Sequence, residues 1–130
     1  MVKKKILIID DEENFCSILK MNLELKGDFE VGVVSDSRQS VAMVKKMKPD
    51  LILLDILMPG MGGFEVLKKL KDDNDISGIP VVMLTALSDE TYRVKAQKLY
   101  DEEYLVKPIE APELREKIIE IFKKRKQWPA

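Results

Sequence analysis

The sequence predicts an α/β domain built on a doubly wound, five-stranded parallel sheet with five helices. Three observations carry this expectation. Short apolar runs alternate with longer amphipathic segments along the whole chain, the pattern of repeated strand–helix units. Most of those runs end directly in an acid, a hydroxyl or a lysine. The chain has 130 residues, 45% of them hydrophobic, enough for one core, with no internal repeat or interdomain linker.

The elements follow in order. Ile6-Leu7-Ile8-Ile9 is too short for a helix and rich in β-branched residues, which suits a strand buried on both faces. Phe15, Leu19 and Leu23 recur at helical spacing, and Gly27 is a stop. Phe29–Val34 is a second strand. Val41, Met43, Val44 and Met47 mark a second helix closed by Pro49, and Leu51–Leu54 is a third buried strand running into Asp55. Met58-Pro59-Gly60-Met61-Gly62-Gly63 reads as a loop, because Pro and Gly punctuate it. Phe64, Leu67 and Leu70 then share one helix face, with lysines around the other. Ile79–Leu84 is a fourth strand ending at Thr85. Ser88 with Asp89 and Glu90 signals an N-cap and an acidic first turn for a helix to about Leu99. Tyr104–Val106 is a short fifth strand, and Pro112 opens a last helix bearing Leu114, Ile118 and Ile121.

Composition excludes several chemistries. A net charge of −1 gives no general attraction to nucleic acid or anionic lipid. A single cysteine, Cys16, forms no internal disulfide, and its helical position suits a small core hydrophobe. The absence of histidine removes imidazole acid–base chemistry, Ser-His-Asp triads and His-ligated zinc. The apolar stretch after the basic start is too short for a signal peptide, and no segment approaches the roughly 18 apolar residues of a membrane span. A cytoplasmic protein without membrane contact is expected.

In doubly wound sheets, ligands bind beyond the carboxyl ends of the strands. That rule gathers Asp10 and Asp11 after the first strand, Asp55 after the third, Thr85 after the fourth and Lys107 after the fifth. Three carboxylates so close repel one another unless a cation joins them, and an all-oxygen donor set suits Mg²⁺. A carboxylate nucleophile, Mg²⁺, a lysine and a hydroxyl are what phosphoryl transfer needs, since that reaction is mostly alignment and charge neutralisation. Asp55, at the end of the most apolar strand, is the candidate nucleophile.

These residues resemble the receiver domains of two-component response regulators. The resemblance runs from Lys5 to about Lys124. It rests on Asp10-Asp11, on Leu53-Leu54-Asp55-Ile56-Leu57-Met58-Pro59-Gly60-Met61-Gly62-Gly63, on Thr85-Ala86, and on Tyr104-Leu105-Val106-Lys107-Pro108. It implies a flavodoxin-like sheet in the order 2-1-3-4-5 and a receiver domain over residues 1–124, with 125–130 a basic tail or the start of a linker. Asp55 would be the phosphoacceptor. Asp11, Asp55 and the Leu57 carbonyl would bind Mg²⁺ directly, with Asp10 acting through water. Thr85 and Lys107 would hold the phosphoryl oxygens, Tyr104 would couple Thr85 to the surface, and the bond before Pro108 would be cis. The partner would be a histidine kinase or histidine phosphotransfer protein, which supplies the missing imidazole. An output domain or target would read the switch, with a phosphorylation-linked homodimer among the outcomes.

Tyr100-Asp101 stands where the family usually has Gly-Ala, which predicts an altered helix end before the fifth strand. Leu57 and Leu87, two past Asp55 and Thr85, offer nothing to orient a water, so slow self-dephosphorylation is expected.

Plainer readings stand beside these. The plainer and lesser reading of Tyr104 is a strand aromatic packed in the core, and the methionines at 21, 43, 47 and 83 read as core filler. Lys123-Lys124-Arg125-Lys126 complements a helix dipole more simply than it binds nucleic acid. A Mg²⁺ phosphatase of the haloacid-dehalogenase type needs a second acid where Leu57 stands. A flavin carrier needs a Gly- and Ser-rich loop where Asp10-Asp11-Glu12-Glu13 stands.

Overall fold

The computed structural model describes residues 2–86 and 103–128. The helix expected from Ser88 to about Leu99, together with Leu87 and Tyr100-Asp101, lies outside them.

Five strands form one parallel sheet: β1 (Lys4–Ile9), β2 (Phe29–Val34), β3 (Leu51–Leu54), β4 (Val81–Thr85) and β5 (Glu103–Val106), in the order β2-β1-β3-β4-β5. This is the doubly wound, flavodoxin-like order. The central strands are apolar at successive positions because both faces are covered. Leu7, Ile9, Ile52, Leu54, Val81 and Met83 pack into one core layer. Ile6, Ile8, Leu51, Leu53, Val82 and Leu84 pack into the other. Each fully buried Leu or Ile contributes about 1.5–3 kcal/mol, so the two layers dominate stability.

Helices cover both faces. On one side lie α1 (Glu13–Glu24), burying Cys16, Leu19 and Leu23, and α4 (Ala111–Lys124), burying Leu114, Ile118 and Phe122. On the other lie α2 (Ser40–Met47), which follows a short 3₁₀ turn at Ser37–Gln39, and α3 (Gly63–Asp72). Four of the five expected α-helices thus fall among the described residues.

Several boundaries differ from expectation for local reasons. β1 begins at Lys4, because Lys4 and Lys5 already pair with Phe29 and Glu30. β4 begins at Val81: Pro80 has no N–H for a ladder, although its carbonyl accepts from Ile52 at 3.0 Å. Gly63 is the first residue of α3 and not part of the loop before it. α2 closes on Lys48 in the left-handed region (φ 52°), one residue before Pro49. Met21 is 69% exposed and fills no core, unlike the fully buried Met83. Beyond α4, Trp128 folds back, stacking on Phe122 (centroids 6.0 Å, 8° between planes) and tilting onto Phe29 at 5.6 Å.

Candidate phosphoryl-transfer site

Asp10 and Asp55 each stand one residue past a central strand, and the backbone fixes both. The Asp10 amide donates to the Val34 carbonyl (3.1 Å) and the Asp55 amide to the Ile9 carbonyl (3.0 Å), extending the ladders by a residue. Both carboxylates are consequently buried, at 2% and 4% exposure, while Asp11 is exposed. Carboxylate oxygens of Asp10, Asp11 and Asp55 lie within 4.8 Å of one another.

Lys107 closes the cluster from the far edge of the sheet. Its amide donates to the Thr85 carbonyl (2.7 Å), which ties the end of β5 to that of β4, and the Lys107–Pro108 peptide is cis. The ammonium donates to Asp10 Oδ2 (2.7 Å) and Glu12 Oε1 (2.9 Å), lies 3.9 Å from Asp55 Oδ2, and sits 4.2 Å from the Phe15 ring centroid. Thr85 is fully buried at the neighbouring strand end. Leu57 lies on the loop beyond Asp55: its amide donates to Asp55 Oδ1 (3.4 Å), and the residue is 57% exposed. Tyr104 is 6% exposed and belongs to the core layer under α2 and α3. The site therefore brings together Asp10, Asp11, Asp55 and Lys107, flanked by Thr85.

The electrostatics match that geometry. Burial raises the Asp10 carboxyl above its ordinary value; the Lys107 and Glu12 amide hydrogen bonds pull the other way, and the Asp55 charge adds to the rise. Lys107 is pulled down by burial, but its bonds to Asp10 and Glu12 outweigh this and hold it above the usual lysine range. Burial, reinforced by the charge of Asp10, pushes the Cys16 thiol up to about 12, so Cys16 is no nucleophile. Three carboxylates, those of Asp10, Glu12 and Asp55, lie 2.7, 2.9 and 3.9 Å from the Lys107 ammonium. The oxygen-only donor set of Asp10, Asp11 and Asp55, with two members buried and locked by backbone, fits a hard divalent cation such as Mg²⁺.

Three contributors escaped sequence reasoning. Glu12 looked like one more acid in a run, and Phe15 like a core position of α1. Ser37 carried no signal beyond a turn-forming residue. Its hydroxyl donates to the Pro59 carbonyl (3.3 Å) and accepts from the Met61 amide (3.3 Å), clasping the loop that follows Asp55.

Comparison with known proteins agrees with this arrangement. The family model of the response regulator receiver domain matches residues 6–119. The chain is 35% identical over 124 residues to a probable transcriptional regulator, ycf27, of Porphyridium aerugineum, covering 95% of this chain and 50% of that protein. It is 33% identical over 129 residues to the DNA-binding response regulator MtrA of Mycolicibacterium smegmatis, covering 99% and 55%. It thus spans about half the length of these curated relatives. Among solved structures, a CheY-like receiver domain protein from Methanospirillum hungatei superposes with a TM-score of 0.87 at 28% identity, covering 97% of this chain and 98% of that one. A receiver domain protein from Clostridium thermocellum gives 0.83 at 30% identity, covering 95% and 97%. With the sheet order, the acid cluster and these likenesses in agreement, the chain belongs to the family of response regulator receiver domains.

Proposed function

We propose that Asp55 accepts a phosphoryl group from a phosphohistidine on a partner kinase or phosphotransfer protein, and that the phosphorylated domain signals to an output domain or separate target. One observation carries the reading: a buried, backbone-locked Asp55 with two further carboxylates within 4.8 Å and the Lys107 ammonium at 3.9 Å. An Asp55 carboxylate oxygen bonds to phosphorus as the bond from phosphorus to the donor nitrogen breaks and its electron pair leaves with the imidazole. Lys107 and Thr85 bind the phosphoryl oxygens and spread their charge. Asp11, Asp55 and the Leu57 carbonyl would hold Mg²⁺, with Asp10 through water; when bound, the ion supplies further charge neutralisation at those oxygens. The change then passes through Thr85 and Tyr104 to the surface.

The domain turns over no other substrate in this reading; it catalyses only its own phosphorylation and dephosphorylation, in the cytoplasm, with a homodimer as one way to read the switch. Among the described residues no helix is long and apolar enough to cross a membrane. Direct nucleic-acid contact is not proposed: the cations of residues 123–126 complement the C-terminal dipole of α4, and Arg125 donates to the Gly78 carbonyl (2.7 Å). Residues 125–130 form a tail or linker, with Trp128 packed back on the domain. A groove of about 530 Å³ beside Lys107, lined by Phe15, Ile18, Leu19, Pro108 and Ile109, offers the phosphodonor protein an apolar approach.

Incubation with Mg²⁺ and acetyl phosphate should add one phosphoryl group by mass spectrometry. Asp55→Asn, or wild type in excess chelator, should gain none. An unmodified wild type, or equal labelling of Asp55→Asn, overturns the reading. Once the donor is removed, the phosphorylated form should persist for minutes or longer, because the exposed Leu57 orients no water; decay within seconds contradicts that expectation.

A further inference from the structure

We infer that Glu12 is a positioning residue that holds the Lys107 ammonium away from Asp55 in the resting domain and so limits the rate of phosphoryl uptake. The inference rests on Asp55 being the phosphoacceptor, as proposed above. The Lys107 side chain is only 10% exposed and has two close carboxylate partners, Asp10 at 2.7 Å and Glu12 at 2.9 Å; Asp55, at 3.9 Å, is beyond hydrogen-bonding distance. The Phe15 ring, 4.2 Å from the ammonium, backs it. To reach phosphoryl oxygens on Asp55, the ammonium must give up part of this coordination.

The two partners differ in how readily they yield. Asp10 is buried, its side chain 3% exposed, and its Oδ1 accepts the Glu12 amide at 3.0 Å, so it is fixed in place. The Glu12 side chain is 59% exposed and turns into solvent at little cost. Glu12 is thus the releasable restraint. Its main-chain N–H orients Asp10 while its carboxylate competes with Asp55 for the lysine.

Two variants separate this contact from simple repulsion of an anionic donor. Glu12→Ala removes both charge and contact; Glu12→Asp keeps the charge but is one methylene shorter and loses the reach to Lys107. All keep the amide that orients Asp10. Phosphoryl uptake from acetyl phosphate in Mg²⁺ is followed by quenched-flow mass spectrometry over a range of donor concentrations. In this reaction the Asp55 oxygen–phosphorus bond forms as the phosphorus–oxygen bond to acetate breaks, and acetate departs with the electron pair. Both variants should raise the maximal rate about two- to five-fold, as expected for releasing one ion pair whose Glu12 partner is solvent-exposed. Only Glu12→Ala should also lower the half-saturating donor concentration. A wild-type maximal rate in Glu12→Asp, or in both variants, overturns the inference while leaving Asp55 as the acceptor. No uptake by wild type removes the acceptor reading and this inference with it.

Discussion

Replacing Lys107 with Met is expected to slow phosphoryl uptake on Asp55 about 100-fold at saturating Mg²⁺ and donor. Methionine keeps most of the aliphatic stem, so the substitution removes the ammonium that sits over Phe15 and beside Asp10 more than it removes volume. What is lost is a cation close enough to turn from Asp10 and Glu12 onto the transferring phosphoryl oxygens as charge spreads over them. Such a group is worth far more in a water-poor pocket than on a surface, and with the Lys107 side chain only 10% exposed the site qualifies. Lys107→Arg should fall between the two, since a planar fork does not replace a compact ammonium. The measurement is the initial rate of phosphoryl incorporation by mass spectrometry. A Lys107→Met rate within threefold of wild type sinks the assignment. In chelator the same variant should also melt earlier than wild type, because the buried Asp10 carboxylate loses its 2.7 Å partner.

That thermal signature follows from how the site is built. Mutual attraction does not hold the carboxylates together; backbone bonds at the ends of β1 and β3 hold them there against their repulsion. The apolar strands Ile6–Ile9 and Leu51–Leu54 supply the stability that keeps the charges in place. Function is thus carried at a local cost that the two core layers offset.

The same division explains what was legible in the sequence. A strand buried on both faces must be apolar at every position, so Leu51–Leu54 was recognisable without any partner being known. A residue just past such a strand must lie at the sheet edge, and four strand ends therefore defined the cluster. The contact between Lys107 and Glu12 joins positions 95 apart and leaves no periodic trace. On α1, the helical spacing that selects Leu19 and Leu23 selects the buried face, while Ile18 and Met21, apolar but out of that phase, are exposed. Trp128 packs through a reversal of the chain after α4, where Lys126 takes φ 58°, a turn that no glycine or proline announces.

Gly63 shows the opposite case, a residue visible in the sequence for a reason that was not. The Pro- and Gly-rich stretch after Asp55 reads in the sequence as a loop that includes Gly63. Among these glycines Gly63 instead opens α3 and is needed for space: a Cβ there would lie 2.2 Å from the Asp55 carbonyl oxygen and 2.6 Å from Ile56 Cα. Both are backbone atoms, so no rotamer change relieves the clash. The Gly63 amide also donates to the Ile56 carbonyl at 2.8 Å, which holds the start of α3 against this segment. Gly63→Ala must therefore push α3 and the Asp55–Ile56 backbone apart, and it should destabilise the domain by about 3 kcal/mol, the upper end for overpacking a close contact. Because Asp55 itself moves, uptake from acetyl phosphate should fall as well, even at temperatures where the variant remains folded. Gly78→Ala is the control: no atom lies within 4 Å of the added methyl, and its stability should match wild type within about 0.5 kcal/mol. Chemical denaturation of the two variants, with phosphoryl uptake measured below each melting transition, tests both parts. Equal stability for Gly63→Ala and wild type would mean that α3 does not press on the phosphoacceptor strand end as described.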